Sequence, residues 1–456
     1  MLSRILGSLA LVATVASSSV VGQQYVTLPP GARVFDVTPD GEIVVGGSGG
    51  DGFIWRWRVD PAPTFVPGGN FTAVSSDGSV IAGNMDPGSA LSTAGIWTAA
   101  AGWHSLGSLP GASSGCGGGL SSAYDISADG TTVVGLSWMN SCDGRGFIWT
   151  AASGMQPLQK LANGHNRCSA ISGDGLVLGG FAQGTFSRTP AYWSWDGTGA
   201  VIDADLQGEV YELNGDGSLS VGTLAFGGPN YAAFVRDAVT GVTTNLGSLQ
   251  SGWAAAGSDL SEDGSVIVGF DYFQLARRAW VWTPASGIKS LEARLAAQSV
   301  AGVPKLLTCL ATSADGTVIV GSAETGDYIA ELQGTWTDLH GGLAGTSGIP
   351  KLAGSGTLVK LTPASLVLNQ AKPFAKCALA VGFSVANLPF KQGVLVPQPN
   401  YIFTLPSLSG QGNITLNFMW KGGMPSGFAM YWQFLIADSA APAGIALSNA
   451  LKSLTP

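Results

Sequence analysis

Charge is scarce in this 456-residue sequence: 11% of its residues are Asp, Glu, Lys or Arg, and the 21 basic residues form no stripe or cluster. That excludes nucleic acid as a partner, because phosphate affinity is drawn from grouped Lys and Arg. Histidine occurs three times, as His104, His165 and His340, and none stands at a recognisable spacing from a Ser, Cys or carboxylate partner. A catalytic triad therefore has no support. Five cysteines with no CxxC pair leave a zinc site nothing to build on. Long apolar runs are missing too, except from Ile5 to Ala16, which follows Arg4 and leads into small residues through Gly22. Residues 1–22 read as a secretory leader, and nothing later is apolar for long enough to span a membrane. The mature chain is expected to be secreted or at the cell surface.

What the chain has in quantity is glycine, 67 residues of it, and the glycines are periodic. Seven units between Arg33 and His340 each carry an Asp-Gly pair: Asp40-Gly41, Asp77-Gly78, Asp129-Gly130, Asp174-Gly175, Asp216-Gly217, Asp263-Gly264 and Asp315-Gly316. Thr38, Ser75, Ser127, Ser172, Asn214, Ser261 and Ser313 stand two residues before each Asp, and Gly46, Gly83, Gly135, Gly180, Gly222, Gly269 and Gly321 stand five after each first glycine. A small polar residue, any residue, Asp and Gly is the recipe for a type I turn followed by a left-handed residue, the connection of a tight hairpin. Calcium loops need several oxygen ligands at alternate positions, and each of these loops supplies one carboxylate. They are therefore read as structural turns.

The runs after the turns, such as Val266-Ile267-Val268, are continuous rather than alternating, as in strands buried on both faces. An aromatic third strand follows, as in Phe147-Ile148-Trp149, and then a shorter fourth, as in Trp103 to Leu109. Four strands per unit is the arithmetic of propeller blades. The fold class expected is all-β, a seven-bladed β-propeller followed by a small β-sandwich. The boundaries expected are 23–341 for the propeller, 342–357 for a Gly-rich linker and 358–456 for the sandwich. Two segments compete to close the ring, Tyr25 to Gly31 and Thr335 to Leu339.

The pattern also resembles the bacterial extracellular HAF repeats, S-x-D-G-x-x-V-x-G, then A-F-x-W, then x-x-L-G-x-L-x-G, with the best match in Ser75 to Gly111 and in Ala233 to Gly269. The resemblance covers Arg33 to about His340. It implies a secreted location and brings no activity or catalytic residue with it. The segment Gly427 to Asn449 resembles the ends of C-terminal β modules on secreted bacterial repeat proteins, without a function that transfers.

Secretion permits disulfides. Cys116 and Cys142 fall in connections at the same mouth of the ring and are the pairing expected, with Cys142 to Cys168 the alternative. Cys309 and Cys377 read as buried free thiols or undecided. That same mouth, between second and third strands, collects acids at Asp51, Asp86, Asp143, Asp271 and Asp327, joined by His165, Tyr272, Arg277 and Arg278. Such a ring could hold a cation such as calcium, or bind sugar hydroxyls. The plainer reading is that exposed loops are polar. No cofactor is called for. Two functions stay open: a non-catalytic binding or structural platform for an extracellular glycan or surface protein, and a polysaccharide hydrolase or lyase using paired mouth carboxylates.

Overall fold

The computed structural model describes residues 25–455, apart from 87, 89–90, 114–118, 140–142, 185–186, 203–205, 228–229, 285, 299, 333–335, 340, 357, 359 and 426–427. The expected leader, Cys116, Cys142 and His340 thus lie outside the described residues. The chain builds seven four-stranded antiparallel blades. Blade 3 is representative, with strands Ser121–Ile126, Thr132–Trp138, Gly144–Thr150 and Gly154–Pro157 paired in chain order. The first strands, Arg33–Val37, Gly69–Val74, Ser121–Ile126, Asn166–Ile171, Gly208–Leu213, Ala254–Leu260 and Leu306–Thr312, are innermost and line one central cavity.

The Asp-Gly turns form as their residue order dictates. In blade 3, Ser127 Oγ donates to Asp129 Oδ1 at 2.6 Å, Thr131 N donates to the same oxygen at 3.0 Å, and Thr132 N donates to Ser127 Oγ at 3.0 Å. Gly130 takes the left-handed conformation the turn requires, φ +72°. All seven turns lie on one rim, where neighbouring blades are stitched together: Ser76 N reaches Ala128 O, Ala128 N reaches Gly173 O, Glu262 N reaches Ala314 O, and Ala314 N reaches Pro39 O. Pro39 has no N–H to pass on, so this belt of bonds ends there.

Each first strand also carries a β-bulge, at Phe35, Thr72, Tyr124, Ser169, Tyr211, Ser258 and Leu310. The second glycine of each unit sits opposite. A Cβ on Gly135 would collide with the carbonyl oxygen of Ser122, and the six equivalents meet the same obstacle. The bulge brings the first strand's backbone so close that only glycine fits.

Ring closure falls to the N-terminal candidate. Tyr25–Thr27 pairs with Gly326–Glu331 as the outer strand of blade 7, and Tyr25 stacks on Tyr328 at 5.7 Å between centroids. The competing segment goes elsewhere: Trp336–Asp338 pairs with Leu451–Leu454. That moves the domain boundary. The sandwich starts at Trp336, and the expected linker 342–357 contains the strand Lys351–Ser355, paired with Pro363–Asn369. Gly354 in that stretch is a packing device, since it lies directly beneath the Trp336 ring.

The larger sheet of the sandwich orders Trp336–Asp338, Leu451–Leu454, Ala429–Ala437, Cys377–Gly382 and Tyr401–Leu405, and the smaller one orders Lys351–Ser355, Pro363–Asn369 and Ile414–Met419. Leu352, Leu366 and Leu368 of the small sheet pack against Leu379, Val381, Phe434 and Ile436 of the large one. Cys168, Cys309 and Cys377 are buried free thiols. The alternative bridge from Cys142 to Cys168 is therefore not made: Cys168 sits inside blade 4, its Sγ turned to the carbonyls of Ala170 and Gly179.

Candidate functional site

The innermost strand of a blade has one edge facing the channel, and its N–H groups on that edge need acceptors. At the turn end, side chains supply them. Asp36 accepts from Val37 N at 2.7 Å and from Val74 N of the next blade at 2.9 Å. Asp125 accepts from Ile126 N and, across to blade 4, from Ile171 N, both at 2.7 Å. Asp259 accepts from Leu260 N and, across to blade 7, from Thr312 N, both at 2.6 Å. Glu212 accepts from Leu213 N of its own blade at 3.0 Å. One donor per blade is thus capped by four carboxyl groups, and each Asp also staples its blade to the next. The stapled blades carry Ala73, Ala170 and Ala311 at the acid's position. Seven is odd, so one blade must cap itself, and blade 5 does so with the longer Glu212.

These acids line a cavity of about 660 Å³ to which all seven blades contribute. Protein surrounds each carboxyl, while solvent still reaches it through the channel. Burial pushes the pKa of Asp36 up to about 6, of Asp125 to about 7 and of Asp259 to about 8, and that of Glu212 well above its usual value. The backbone N–H bonds pull the other way, and repulsion among the four adds to the rise. The ring therefore carries fewer charges than acids at neutral pH, and its protonated members can donate as well as accept. Tyr124, Tyr211, Phe35 and Ser258 line it beside them.

This site was missed in the sequence, although a signal was there. Four residues before each turn Asp stands Asp36, Ala73, Asp125, Ala170, Glu212, Asp259 or Ala311, so every Asp at this position precedes a blade with Ala. A second missed cluster joins blades 4 and 5. Glu209, 2% exposed, pairs with Arg167 and, at 2.9 Å, with Arg188, while Arg167 also lies over the rings of Tyr124 and Phe181.

The residues expected at the opposite mouth do not form one ring of ligands. Asp143 lies 3.2 Å from His165 Nδ1 and 3.5 Å from Lys160, a proximity that the sequence neighbours of His165 do not reveal. His165 Nδ1 accepts from Gly144 N at 2.7 Å. Asp51 opens the third strand of blade 1, and Asp86 caps its own turn through Gly88 N. Tyr272 and Asp271 face Arg277 and Arg278 across neighbouring strands, and Arg277 covers the Phe270 ring at 5.0 Å. Asp271 and Asp327 correct the expectation of exposed loop acids, for they are 0% and 3% exposed. Asp271 accepts from Gln250 N at 2.7 Å, and Asp327 accepts from Val34 N at 2.9 Å and pairs with Arg33 at 3.3 Å. Both sit inside blade edges because the connections at this end are too short to lift them into solvent. Among the described residues no group of three or more His, Cys, Asp or Glu is arranged to hold a metal ion.

No protein-family model matches the sequence, and no curated protein matches it. Similar solved structures include TolB from Acinetobacter baumannii, at 13% identity and a TM-score of 0.37, where 56% of this chain is covered and 61% of that one. An oligogalacturonate lyase from Vibrio parahaemolyticus is similar at 12% identity and a TM-score of 0.45, covering 67% of this chain and 93% of that one. The β-propeller domain of the Trilobed protease from Pyrococcus furiosus is similar at 10% identity and a TM-score of 0.42, over 64% and 90%. The likeness concerns the propeller fold alone. No helix among the described residues is long and apolar enough to cross a membrane.

Proposed function

We propose that this is a secreted or cell-surface repeat protein of the HAF type, non-catalytic, whose propeller is a binding platform for a glycan or another polyhydroxylated ligand. The observation that carries this reading is the capped carboxyl ring. Acids held by backbone N–H groups are fixed hydrogen-bonding positions, and with Tyr124 and Tyr211 beside them they suit neutral hydroxyls better than they suit a freely titrating acid and base pair. The runner-up, a polysaccharide hydrolase or lyase working with mouth carboxylates, loses two of its candidates to burial, since Asp271 and Asp327 are closed off from solvent inside the blade edges.

A glycan array probed with the secreted protein, with and without calcium, tests the proposal. A hit that is lost in Tyr124→Ala and Tyr211→Ala variants of unchanged fold places the ligand at the channel. A hit that survives both substitutions moves the site elsewhere, and release of shortened products from a bound polysaccharide overturns the non-catalytic reading.

A further inference from the structure

Two sheets of a sandwich normally fill the space between them at close-packed density. Here one end of that space is left open. A cavity of about 390 Å³ enters between Leu366, Leu416 and Phe418 of the small sheet and Leu379 and Trp432 of the large one, with Trp420 and Met424 at its entrance. Leu366 and Leu379 form a buried floor, whereas Leu416, Phe418 and Trp432, which point between the sheets, stay only half-buried. The volume lies within the range of small-molecule sites, roughly 300 to 1,000 Å³. Taking about 30 Å³ as one water's share of liquid, it has room for about a dozen units of that size.

The mouth of this apolar slot is cationic. Lys421 lines it, and the stem of Lys360 lies over Gly422, which also lines it. Among the described residues neither lysine has an ion-pair partner, and no acid lines the cavity, in a chain whose net charge is −8. Met419 and Met424, both exposed, are the unbranched, adaptable side chains that let an entrance fit a flexible tail.

We propose that the sandwich is a binding module for a single-chain anionic amphiphile, its alkyl tail between the sheets and its carboxylate or other anionic head at Lys360 and Lys421. An apolar wall with one charged rim reads length and head charge together. The tail removes Leu416, Phe418 and Trp432 from water, and the lysines distinguish an anion from an alcohol or a cation.

The test is a titration of the full secreted chain with sodium dodecanoate, below its micelle concentration, followed by tryptophan fluorescence and by melting temperature. The expected result is a saturable change that is absent from the Trp420→Phe/Trp432→Phe variant, together with a raised melting temperature, since a ligand bound to the native state stabilises it. Dodecanol and dodecyltrimethylammonium should bind about tenfold more weakly or worse, a difference of about 1.4 kcal/mol. The surface variant Lys360→Glu/Lys421→Glu should lose the preference for dodecanoate with its fold intact. Equal binding of all three amphiphiles, a signal that persists in the tryptophan variant, or absence of saturation would each overturn the proposal. So would association with vesicles containing phosphatidylglycerol in the absence of dodecanoate binding, because the apolar end would then be reading a bilayer surface.

Discussion

The propeller and the sandwich solve the same problem, covering the edges and faces of β-sheets, by different means. In the propeller the coverage is internal and repeated: turn residues cap the strand starts, and channel acids cap the inner edges. Trp193, Trp280, Tyr328 and Phe147 are fully buried between or within blades. The sandwich has free ends. Its edge strand Tyr401–Leu405 is paired on one side only, with Tyr401 and Phe403 about half exposed, and Met419, Met424 and Phe374 are exposed as well. A ring can satisfy itself because each blade has a neighbour on both sides. A two-sheet stack cannot, and its open end is where an external molecule has most to offer.

If the propeller is held by internal polar coverage, removing a buried partner should be its costliest change. Glu209→Ala leaves Arg167 and Arg188 without their carboxylate. The expected loss is about 3 kcal/mol or more, the usual size when one partner of a buried ion pair is deleted, read by urea denaturation. A loss below 1 kcal/mol would mean that the two arginines find other partners. Next in size is Gly130→Val. A β-branched residue forced to φ +72° costs about 1–2 kcal/mol, and its Cβ would also press on Val80 of the adjacent blade. A melting temperature equal to that of the unaltered protein would show that the turn can rearrange.

The blades were legible because each rests on a local rule repeated seven times: Ser127-Ala128-Asp129-Gly130 is a turn wherever it occurs between apolar runs. The channel acids were not, because their partners are non-local. Asp125 and Ile171 N are 46 positions apart, and only a comparison of the units, with Ala170 at the acid's place in the next one, links them. Asp327 and Val34 N are also distant in sequence, and are brought together only when the ring closes. Gly354 misled for the opposite reason. A glycine that makes room for Trp336 and a glycine in a flexible linker are the same letter, and only the tertiary partner tells them apart.

The two kinds of acid in the propeller also separate by pH. Asp36, Asp125 and Asp259 have folded pKa values of about 6, 7 and 8, above the unfolded value near 4. The folded state holds protons that the unfolded chain releases, so their contribution is complete below about pH 4 and is lost as pH rises from 4 through 8. Turn acids such as Asp77 and Asp129 are shifted down, chiefly by side-chain hydrogen bonds from Ser79 and Ser127, and their contribution is lost only as pH falls below about 4. The melting temperature should therefore fall between pH 5 and 8.5. Asp259→Asn should flatten that slope while Asp129→Asn should not. A profile that stays flat over this window would mean that the channel acids are already ionised in the folded state.

The smallest stability effect is expected in the sandwich, where the comparison with the propeller is sharpest. Phe403 lies on the edge strand opposite Leu379, on the core-facing side but beyond the reach of the smaller sheet, half exposed and stacked on Tyr401 at 6.0 Å between centroids. Replacing it with Thr introduces a β-branched residue suited to a strand and removes little buried area, so the change should stay within about 0.5 kcal/mol. What should change is self-association, because an exposed apolar edge is a template for pairing with another chain. Light scattering at high protein concentration should show less association for Phe403→Thr than for the unaltered protein. A loss of more than 1 kcal/mol would mean that the edge is already covered within the chain, and that the sandwich closes its edges as the propeller does.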